Sequence, residues 1–398
     1  MIFMIEIQDK AECCGCGACI QGCPSKCIQM AADEEGFLYP EVNKALCIAC
    51  GICEKICPVL NSVSKDKEAK EPVACAAINK NKDIRRESSS GGVFTLFSEY
   101  VLSKNGIVFG AAMSEDCERV IHIGVEEAES LRFLRGSKYV QSEIGNTYQC
   151  AKRELEKGRP VLFSGTPCQI AGLKGYLKKD YESLYTIEVI CHGVPSPALW
   201  KRYISYIRKK LKSPISQVIF RDKSSLGGRL MMCIKVSDGK VYKAYEEEDP
   251  FYCFFLKNYC LRPSCYYCHL KKERHAADIT IGDFWGGSKV VPGFGEEGDI
   301  SLILFHSDKG MRMFDLVKES MEIRWTEYEQ AVSYNSAYTE SVLCPKERDS
   351  FFIDLGNVSF TEMVKKYRKL SAKMKLRCIL EKLHLLKAIK HVKHLIKV

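Results

Sequence analysis

Two copies of one cysteine string, C-x2-C-x2-C-x3-C followed by proline, constrain this chain more than any other feature. The second copy lies 34 residues after the first at every position. Three thiolates spaced in this way bind three corners of one iron–sulfur cube, and the fourth reaches across to a second cube. We therefore expect two 4Fe-4S clusters with crossed ligands. The first would take Cys13, Cys16, Cys19 and Cys57, and the second Cys47, Cys50, Cys53 and Cys23.

Structural zinc is the alternative, since C-x2-C pairs also bind zinc. Zinc sites use two separated pairs of ligands, however, whereas these eight cysteines form two identical quartets. Cys14 and Cys27 are left over and are interpreted as ordinary buried thiols. The block resembles the bacterial two-cluster ferredoxin domain over about residues 1–60. That resemblance implies an α+β ferredoxin-like iron–sulfur domain that passes single electrons.

Length and composition fit a soluble globular chain of two or three domains, with 398 residues, 46% hydrophobic and 27% charged. Because cytosolic thiols stay reduced, the dense block within the 22 cysteines indicates metal binding and not disulfides. No apolar run reaches the roughly 18–20 residues of a membrane span. The N-terminus also lacks the basic start of a signal peptide, so we expect a cytoplasmic protein.

The net charge of +9 comes from the end of the chain. Residues 361–398 carry twelve Lys/Arg against two Glu, so the rest is nearly neutral and nucleic acid is not an expected partner. From Met363 onward, apolar residues at steps of three and four predict a basic C-terminal helix. Such a helix can contact the inner membrane face peripherally, pack on a partner, or cover the body with a solvated outer face.

Between these ends, short β-like runs alternate with helical stretches, which predicts an α/β body. We expect strands at 73–78, 106–113, 159–164 and 184–190, and helices at 92–103 and 147–157. The expected domains are a ferredoxin domain at 1–60, a linker at 61–71, two parts of the body at 72–150 and 151–325, and a helical basic tail at 326–398.

Turn-rich strings follow the ends of these runs. The string SSSGG opens a helix, and its amides can hold an anionic phosphate or a flavin ring edge, or its hydroxyls merely cap the helix. A different string, Gly293-x-Gly295-x-x-Gly298, matches a dinucleotide fingerprint by letters only. We interpret it as a loop because its two glutamates would repel pyrophosphate and a strand follows where a helix is required.

Several cysteines of the body also follow strands. Cys168 and Cys191 each lie just past a strand, so we expect them to meet at one edge of a sheet. The pair Cys265 and Cys268 needs two further thiolates to bind a metal. Cys168 and Cys191 are the best-placed candidates, with Cys260 in reserve, and spacing alone leaves a third metal site open.

The body resembles the family of the beta subunit of coenzyme F420-reducing hydrogenase and dehydrogenase through seven strings in order: SSSGG, GSKYVQS, GTPCQIAGL, CHGVPSP, FRDK, LRPSCYYC and DITIGDFWG. The resemblance covers about residues 70–325. It implies an α/β flavin-binding body that holds FAD and a further 4Fe-4S cluster. The family moves electrons between iron–sulfur carriers and a two-electron substrate, which is the deazaflavin in archaeal cases and a different conjugated molecule, such as a tetrapyrrole, in other branches.

Carried over string by string, the resemblance implies a third 4Fe-4S cluster on Cys168, Cys191, Cys265 and Cys268. The implied flavin contacts are Lys138, Ser88, Ser89, Ser90, Gly91, Gly92, Gly165, Thr166 and Gln169. Two residues are catalytic candidates. Lys138 would favour electron density near the reduced ring, unless it is a solvated surface lysine. His192 would shuttle protons, unless it only hydrogen-bonds a neighbour.

Together these expectations describe an iron–sulfur flavoprotein oxidoreductase. It would pass electrons between its clusters and, through FAD, a small two-electron redox substrate, either coenzyme F420 or another conjugated acceptor. An electron donor or acceptor protein is the expected partner. The alternative is a non-catalytic electron-transfer subunit of a larger complex.

Overall fold

The computed structural model describes residues 4–61, 71–224, 230–271, 275–296 and 298–368. No helix in these ranges is both long and apolar enough to cross a membrane. The predicted basic helix falls mainly on residues 369–398, which lie outside the described ranges. The contact of this helix with a membrane or a partner therefore stays a prediction. The cytoplasmic location and the domain boundaries also stay predictions.

The N-terminal part repeats one backbone shape around its two cysteine strings. Its elements are the 3-10 helix Lys10–Glu12, helices α1 (Ala18–Gly22) and α2 (Ile52–Lys55), and the antiparallel strands β1 (Ile28–Ala32) and β2 (Leu38–Val42). Gly17 and Gly51 precede the two helices with φ of 72° and 67°, a left-handed conformation that favours glycine. Each loop thus turns into a short helix that carries the third cysteine of its string.

The body contains strands in two sheets. They are β3 (Val73–Asn79), β4 (Ile107–Met113), β5 (Val120–Val125), β6 (Ser142–Glu143), β7 (Val161–Gly165), β8 (Leu184–Val189), β9 (Ile215–Ile219), β10 (Met231–Val236), β11 (Val241–Tyr245), β12 (Ile279–Asp283), β13 (Ser301–Phe305) and β14 (Met321–Thr326). In the described ranges the larger sheet has the order β14-β3-β13-β12-β8-β7-β4-β5-β6. Its centre, β12-β8-β7-β4, is parallel, and antiparallel pairs flank it on both sides.

Helices cover both faces of the larger sheet. The helices of the body are α3 (Lys82–Glu87), α4 (Val93–Ser103), α5 (Leu131–Leu134), α6 (Thr147–Glu156), α7 (Pro167–Leu177), α8 (Pro197–Leu211), α9 (Pro250–Leu256), α10 (Gly287–Val290), α11 (Asp308–Asp315), α12 (Tyr328–Val332), α13 (Ser336–Thr339), α14 (Arg348–Asn357) and α15 (Phe360–Tyr367). Because side chains alternate along a strand, Val108 and Leu162 pack with α4 and α11, whereas Phe109 and Phe163 pack with α6 and α7.

A second core lies beside the larger sheet. Strands β9, β10 and β11 form an antiparallel sheet that packs with α8, α9, α14 and α15. Trp200, Phe220 and Phe251 are almost fully buried at its centre. The ring centroid of Trp200 lies 5.0 Å from that of Phe220 and 4.9 Å from that of Phe251. This aromatic core supports the segment that carries the CLRPSCYYC string.

The strand and helix predictions for the body are confirmed. Strands β3, β4, β7 and β8 and helices α4 and α6 begin and end within two residues of the expected positions. Strand β13 follows the string at Gly293, as expected for a loop and not for a dinucleotide site. The structure is therefore a mixed α/β body behind a small iron–sulfur region.

Candidate functional site

The predicted ligands of the second cluster line one pocket. Cys23, Cys47, Cys50 and Cys53 all border one pocket in the N-terminal domain. The backbone amide of Ile5 donates to Cys53 Sγ at 3.3 Å. Hydrogen bonds to ligand sulfurs of this kind tune the potential of an iron–sulfur cluster. The chain thus brings together the crossed set that the repeat predicts.

Three of the ligands predicted for the first cluster interact directly. Burial raises the pKa of the Cys19 thiol to about 12, and the charges of Cys13 and Cys57 add to the rise. Burial and the charge of Cys13 also raise the pKa of Cys57. Thiols that repel one another as anions are stabilised in that form by a coordinated metal. Cys16, the fourth, is buried against helix α7.

The cysteines of the implied third cluster come from separate segments at one end of the larger sheet. Cys168 lies in the first turn of α7, directly after β7, and Cys191 follows β8. Cys265 lies in a 3-10 helix that ends at Cys268. Because β7 and β8 are parallel neighbours, their carboxyl ends bring the first two cysteines to the same edge, as expected.

Electrostatic effects show that these four thiols face one another. Burial raises the pKa of Cys191 to about 12, the charges of Cys168 and Cys268 add to the rise, and Lys271 opposes it. Burial and the charges of Cys191, Cys168 and Cys268 raise the pKa of Cys265. The Lys271 ammonium donates to the backbone carbonyl of Cys191. It therefore offers a positive charge beside a site whose ligands are anions when a metal is bound.

Cys260, the reserve ligand, lies apart from this group. Its thiol is fully buried, and the groups that influence its pKa are the backbone of Ser196 and Arg348. Cys265 Sγ instead accepts from the backbone amide of Val194 at 3.4 Å.

Arg262 ties the N-terminal domain to the body. Its fully buried guanidinium donates to Cys13 O at 2.7 Å, to Leu38 O at 2.9 Å and to Gln141 Oε1 at 3.0 Å. It also stacks over the ring of Tyr39 at 4.2 Å. The positive charge therefore lies at the loop of the first cluster, where it favours the more negative, reduced state of the cluster.

A buried ion pair makes a second tie between the same two parts. Arg348 of α14 donates to the two carboxylate oxygens of Glu35 at 2.9 and 2.6 Å, and to Leu261 O at 3.0 Å. The backbone carbonyl of Glu35 accepts from Ser196 Oγ. The connection between β1 and β2 is thus fixed against the body.

Cys14 lies where the first cysteine loop meets the body. Its thiol interacts with Cys16 and Cys168, and the Cys16 contact and burial raise its pKa well above the ordinary value. Gly172 of α7 permits this approach, because a Cβ added there would lie 2.9 Å from Cys16 Sγ. Cys14 belongs to none of the predicted ligand sets. It nevertheless interacts both with Cys16, a predicted ligand of the first cluster, and with Cys168, an implied ligand of the third.

The strings implied in flavin binding converge on one another. Ser89 Oγ accepts from the backbone amide of Ser137 at 2.6 Å. Gln169 Nε2 donates to Ser142 Oγ at 2.8 Å, and Gln169 also completes a capping box with Thr166. The strings SSSGG, GSKYVQS and GTPCQ thus share one region of the fold.

The hydroxyl groups of the SSSGG string are engaged within the protein. Ser88 Oγ donates to Ile84 O and Ser90 Oγ donates to Ile300 O, both at 2.7 Å. The amide of Gly91 donates to Ser301 Oγ at 2.9 Å, and Gly92 caps α4 with a left-handed φ of 81°. These groups shape the loop, but no hydroxyl of the string caps α4, since its N-cap is Gly92 and no side-chain capping hydrogen bond is made there.

Lys138 is not a solvated surface lysine. Its ammonium donates to the carbonyls of Phe133 and Arg135, both at 2.9 Å. Burial lowers the pKa of Lys138 to about 7. The same charge acts on His122, whose pKa burial already lowers to about 4. Lys138 is thus partly buried and held by two carbonyl groups, while its catalytic role stays a prediction.

His192 hydrogen-bonds a neighbour. Its Nε2 lies 2.6 Å from Asn258 Oδ1, and its ring meets Phe255 edge to face at 5.2 Å. Burial lowers the pKa of His192. Its neutral imidazole next to Cys191 fits the alternative in which His192 only hydrogen-bonds a neighbour. Proton shuttling by His192 stays a prediction.

Sequence reasoning missed the residues that join the two parts. Arg262 lies inside the string LRPSCYYC without a predicted role, and Cys14 has no place in either cysteine quartet. Glu35 and Arg348 carry no signal at all, because their partnership depends on packing between distant segments.

The family comparisons match the two parts separately. Residues 12–61 match the 4Fe-4S dicluster domain, and residues 158–331 match the family described as the C terminus of the coenzyme F420 hydrogenase/dehydrogenase beta subunit. The 4Fe-4S dicluster match supports iron–sulfur clusters in the N-terminal part.

Two known proteins are similar to the chain over longer stretches. The coenzyme F420-dependent sulfite reductase of Methanocaldococcus jannaschii is 25% identical over 323 residues, which cover 80% of this chain and 47% of that protein. The chain therefore spans about half the length of that relative. A chain of the F420-reducing NiFe hydrogenase complex from Methanosarcina barkeri superimposes with a TM-score of 0.45 and 15% identity, over 69% of this chain and 93% of that one. Residues 158–331 thus resemble the beta-subunit family of coenzyme F420 hydrogenase/dehydrogenase, and a match to the 4Fe-4S dicluster domain lies in front of them.

Proposed function

We propose that the chain is an iron–sulfur flavoprotein oxidoreductase in which electrons pass between two ferredoxin-type clusters, a third cluster in the body, and FAD. The packing of the first cysteine loop on helix α7 carries this proposal, because Cys14 and Cys16 pack in the same core cluster as α7 and Cys16 lies against Gly172. Electrostatic effects link Cys14 to both Cys16 and Cys168. This approach would give the first cluster a short path to the third set of cysteines.

The third cluster would be held by Cys168, Cys191, Cys265 and Cys268. Lys271 supports this assignment because its charge lowers the pKa of both Cys191 and Cys268 against the effect of burial. Burial of all four sulfurs would exclude water from the cluster, which is one of the factors that set its reduction potential.

FAD would be held where the SSSGG, GSKYVQS and GTPCQ strings converge. When bound, FAD connects one-electron clusters with a two-electron substrate. Lys138 fits this site because its ammonium has two carbonyl partners and, among the described residues, no carboxylate partner. A cation of this kind favours an anionic group nearby, and its lowered pKa lets it hold or release a proton at neutral pH.

The substrate class is a conjugated two-electron acceptor or donor, with coenzyme F420 as the first candidate. The relative from Methanocaldococcus jannaschii is named for that coenzyme, and residues 158–331 match the family of F420-linked beta subunits. Another conjugated acceptor is the second candidate.

A non-catalytic electron-transfer subunit is the alternative, and one surface favours it. The loop of the second cluster exposes apolar side chains, with Leu46 57% and Ile48 65% exposed on either side of Cys47. Cys50 is itself exposed. An electron donor or acceptor protein that covers this loop would reach the second cluster directly, as expected for a subunit in a complex.

An anaerobic assay separates the two functions. The full chain, supplied with electrons by methyl viologen that has first been reduced with dithionite, would be mixed with F420, whose absorbance falls on reduction. We expect turnover by the wild type, loss of turnover in Cys268→Ser, and wild-type turnover in Cys150→Ser, since Cys150 lies on α6 outside the three cysteine sets. Clusters that accept electrons without any flavin in the preparation, and without turnover of F420 or other conjugated acceptors, would favour the subunit.

A further inference from the structure

A group of two histidines and one glutamate lies beside the larger sheet and shares no residue with the three cysteine sets. One ligand atom from each of Glu188, His275 and His306 lies within 4.8 Å of the other two. Glu188 is near the end of β8, His275 leads into β12, and His306 directly follows β13. Because these strands are neighbours in the sheet, three distant segments bring their side chains to one point.

The contacts within this group leave two polar atoms without a partner. Glu188 Oε1 contacts His275 Nδ1 and accepts from Thr280 Oγ1 at 2.8 Å, and Thr280 Oγ1 lies 2.7 Å from His306 Nε2. Glu188 Oε2 and His275 Nε2 are buried and have no hydrogen-bond partner. Buried polar atoms are rarely left unsatisfied, because each has lost its hydrogen bonds to water without a replacement. A simple Glu–His pair therefore does not account for the whole group.

The surroundings fix the side chains in place and exclude solvent. The side chains of His275 and Glu188 are 4% and 0% exposed. The His275 ring stacks on Tyr338 with centroids 4.3 Å apart and planes 1° apart, and on His306 at 5.1 Å. Preorganised ligands of this kind lose little side-chain freedom when they bind an ion.

We propose that Glu188, His275 and His306 bind a zinc ion that is separate from the iron–sulfur clusters. Two imidazoles and one carboxylate form a donor set that zinc uses. The Thr280 hydroxyl, which lies between Glu188 and His306, would orient these two ligands, and a water molecule would complete the four-coordinate shell. The ion would join the ends of β8 and β13 with the segment before β12, next to Cys268, whose thiol responds to the charge of Glu188. Its role would be structural, holding the third cysteine set on the sheet.

Metal analysis of the full chain tests this site. Protein made with added zinc and purified anaerobically would be analysed for zinc and iron by mass spectrometry. We expect about one zinc per chain in the wild type, and at least a tenfold loss in His306→Gln and Glu188→Gln. His122→Gln is the matched control, since His122 is a buried histidine on β5 away from this group. It should keep its zinc. Wild-type protein without zinc, or variants that retain it, would overturn the proposal.

Zinc absorption spectroscopy of the wild type gives a test that does not depend on folding of the variants. The proposed ligands predict nitrogen and oxygen neighbours at about 2.0–2.2 Å. Sulfur neighbours at about 2.3 Å would place the zinc in a cysteine set and would contradict the site.

Discussion

The thiol of Cys14 interacts with the thiol of Cys168, and this contact, together with burial, raises the pKa of Cys168 well above its ordinary value. The two residues belong to different parts of the protein. Cys14 also interacts with Cys16, a predicted ligand of the first cluster. The contact therefore defines where the ferredoxin-like region approaches the third cysteine set.

Replacing Cys14 should slow electron passage without removing a cluster. Cys14→Ala is expected to keep the wild-type iron content and to slow reduction of the body by the N-terminal clusters, which freeze-quench electron paramagnetic resonance measures. Cys16→Ala should lose about four iron atoms per chain, because it removes a ligand. Cys344→Ala, at an exposed cysteine outside the three cysteine sets, should leave the rate unchanged. A loss of four iron atoms in Cys14→Ala would instead make Cys14 a ligand.

Arg262 should affect both stability and potential, and two substitutions separate these effects. Arg262→Met leaves the carbonyls of Cys13 and Leu38 without their donor, so we expect a loss of about 2–4 kcal/mol of unfolding free energy in urea. It should also lower the midpoint potential of the first cluster, because a positive charge is removed. Arg262→Lys should destabilise the protein while it keeps the potential close to wild type. Equal potentials in all three proteins would show that the charge does not act on the cluster.

The Glu35–Arg348 pair should stabilise the docking of the N-terminal domain. Glu35→Gln leaves a buried guanidinium without its countercharge, which typically costs about 3–5 kcal/mol. Its neighbour Glu34 pairs with Lys10, but its side chain is 79% exposed, so Glu34→Gln should cost less than about 1 kcal/mol. Urea unfolding followed by loss of cluster absorbance measures both. A similar cost for the two variants would contradict the assignment of the buried pair.

Lys138 should react as a neutral amine near pH 7. Its pKa of about 7 results from burial, whereas ordinary lysines titrate near 10.4. Competitive acetylation read by mass spectrometry should give a labelling midpoint near pH 7 for Lys138. Because the folded chain then binds fewer protons than the unfolded chain between about pH 7 and 10, this residue should make stability rise with pH in that window. A midpoint near pH 10 would remove the basis for its role beside a cofactor.

Local patterns in the sequence predicted the parts of the site that depend on neighbouring residues. The 34-residue repeat predicts the crossed ligand set, and Cys23 borders the same pocket as Cys47, Cys50 and Cys53. Alternating runs also predicted β7 and β8, and with them the common edge for Cys168 and Cys191.

Contacts between distant segments could not be predicted in this way. Arg262 and Cys13 are 249 residues apart, and only the docking of the two parts joins them. Glu188 and His306 come together because Ile187 pairs with Ile279 and Ile279 pairs with Phe305 across three strands. This pairing of strands forms only when the sheet folds, so no single segment of the sequence predicts it.

The most direct test of the account is a count of iron, acid-labile sulfide and flavin per chain in protein purified anaerobically. Three clusters and one flavin predict about twelve iron atoms, about twelve sulfides and one FAD. About eight iron atoms without flavin would contradict the proposed oxidoreductase and leave a ferredoxin-type relay.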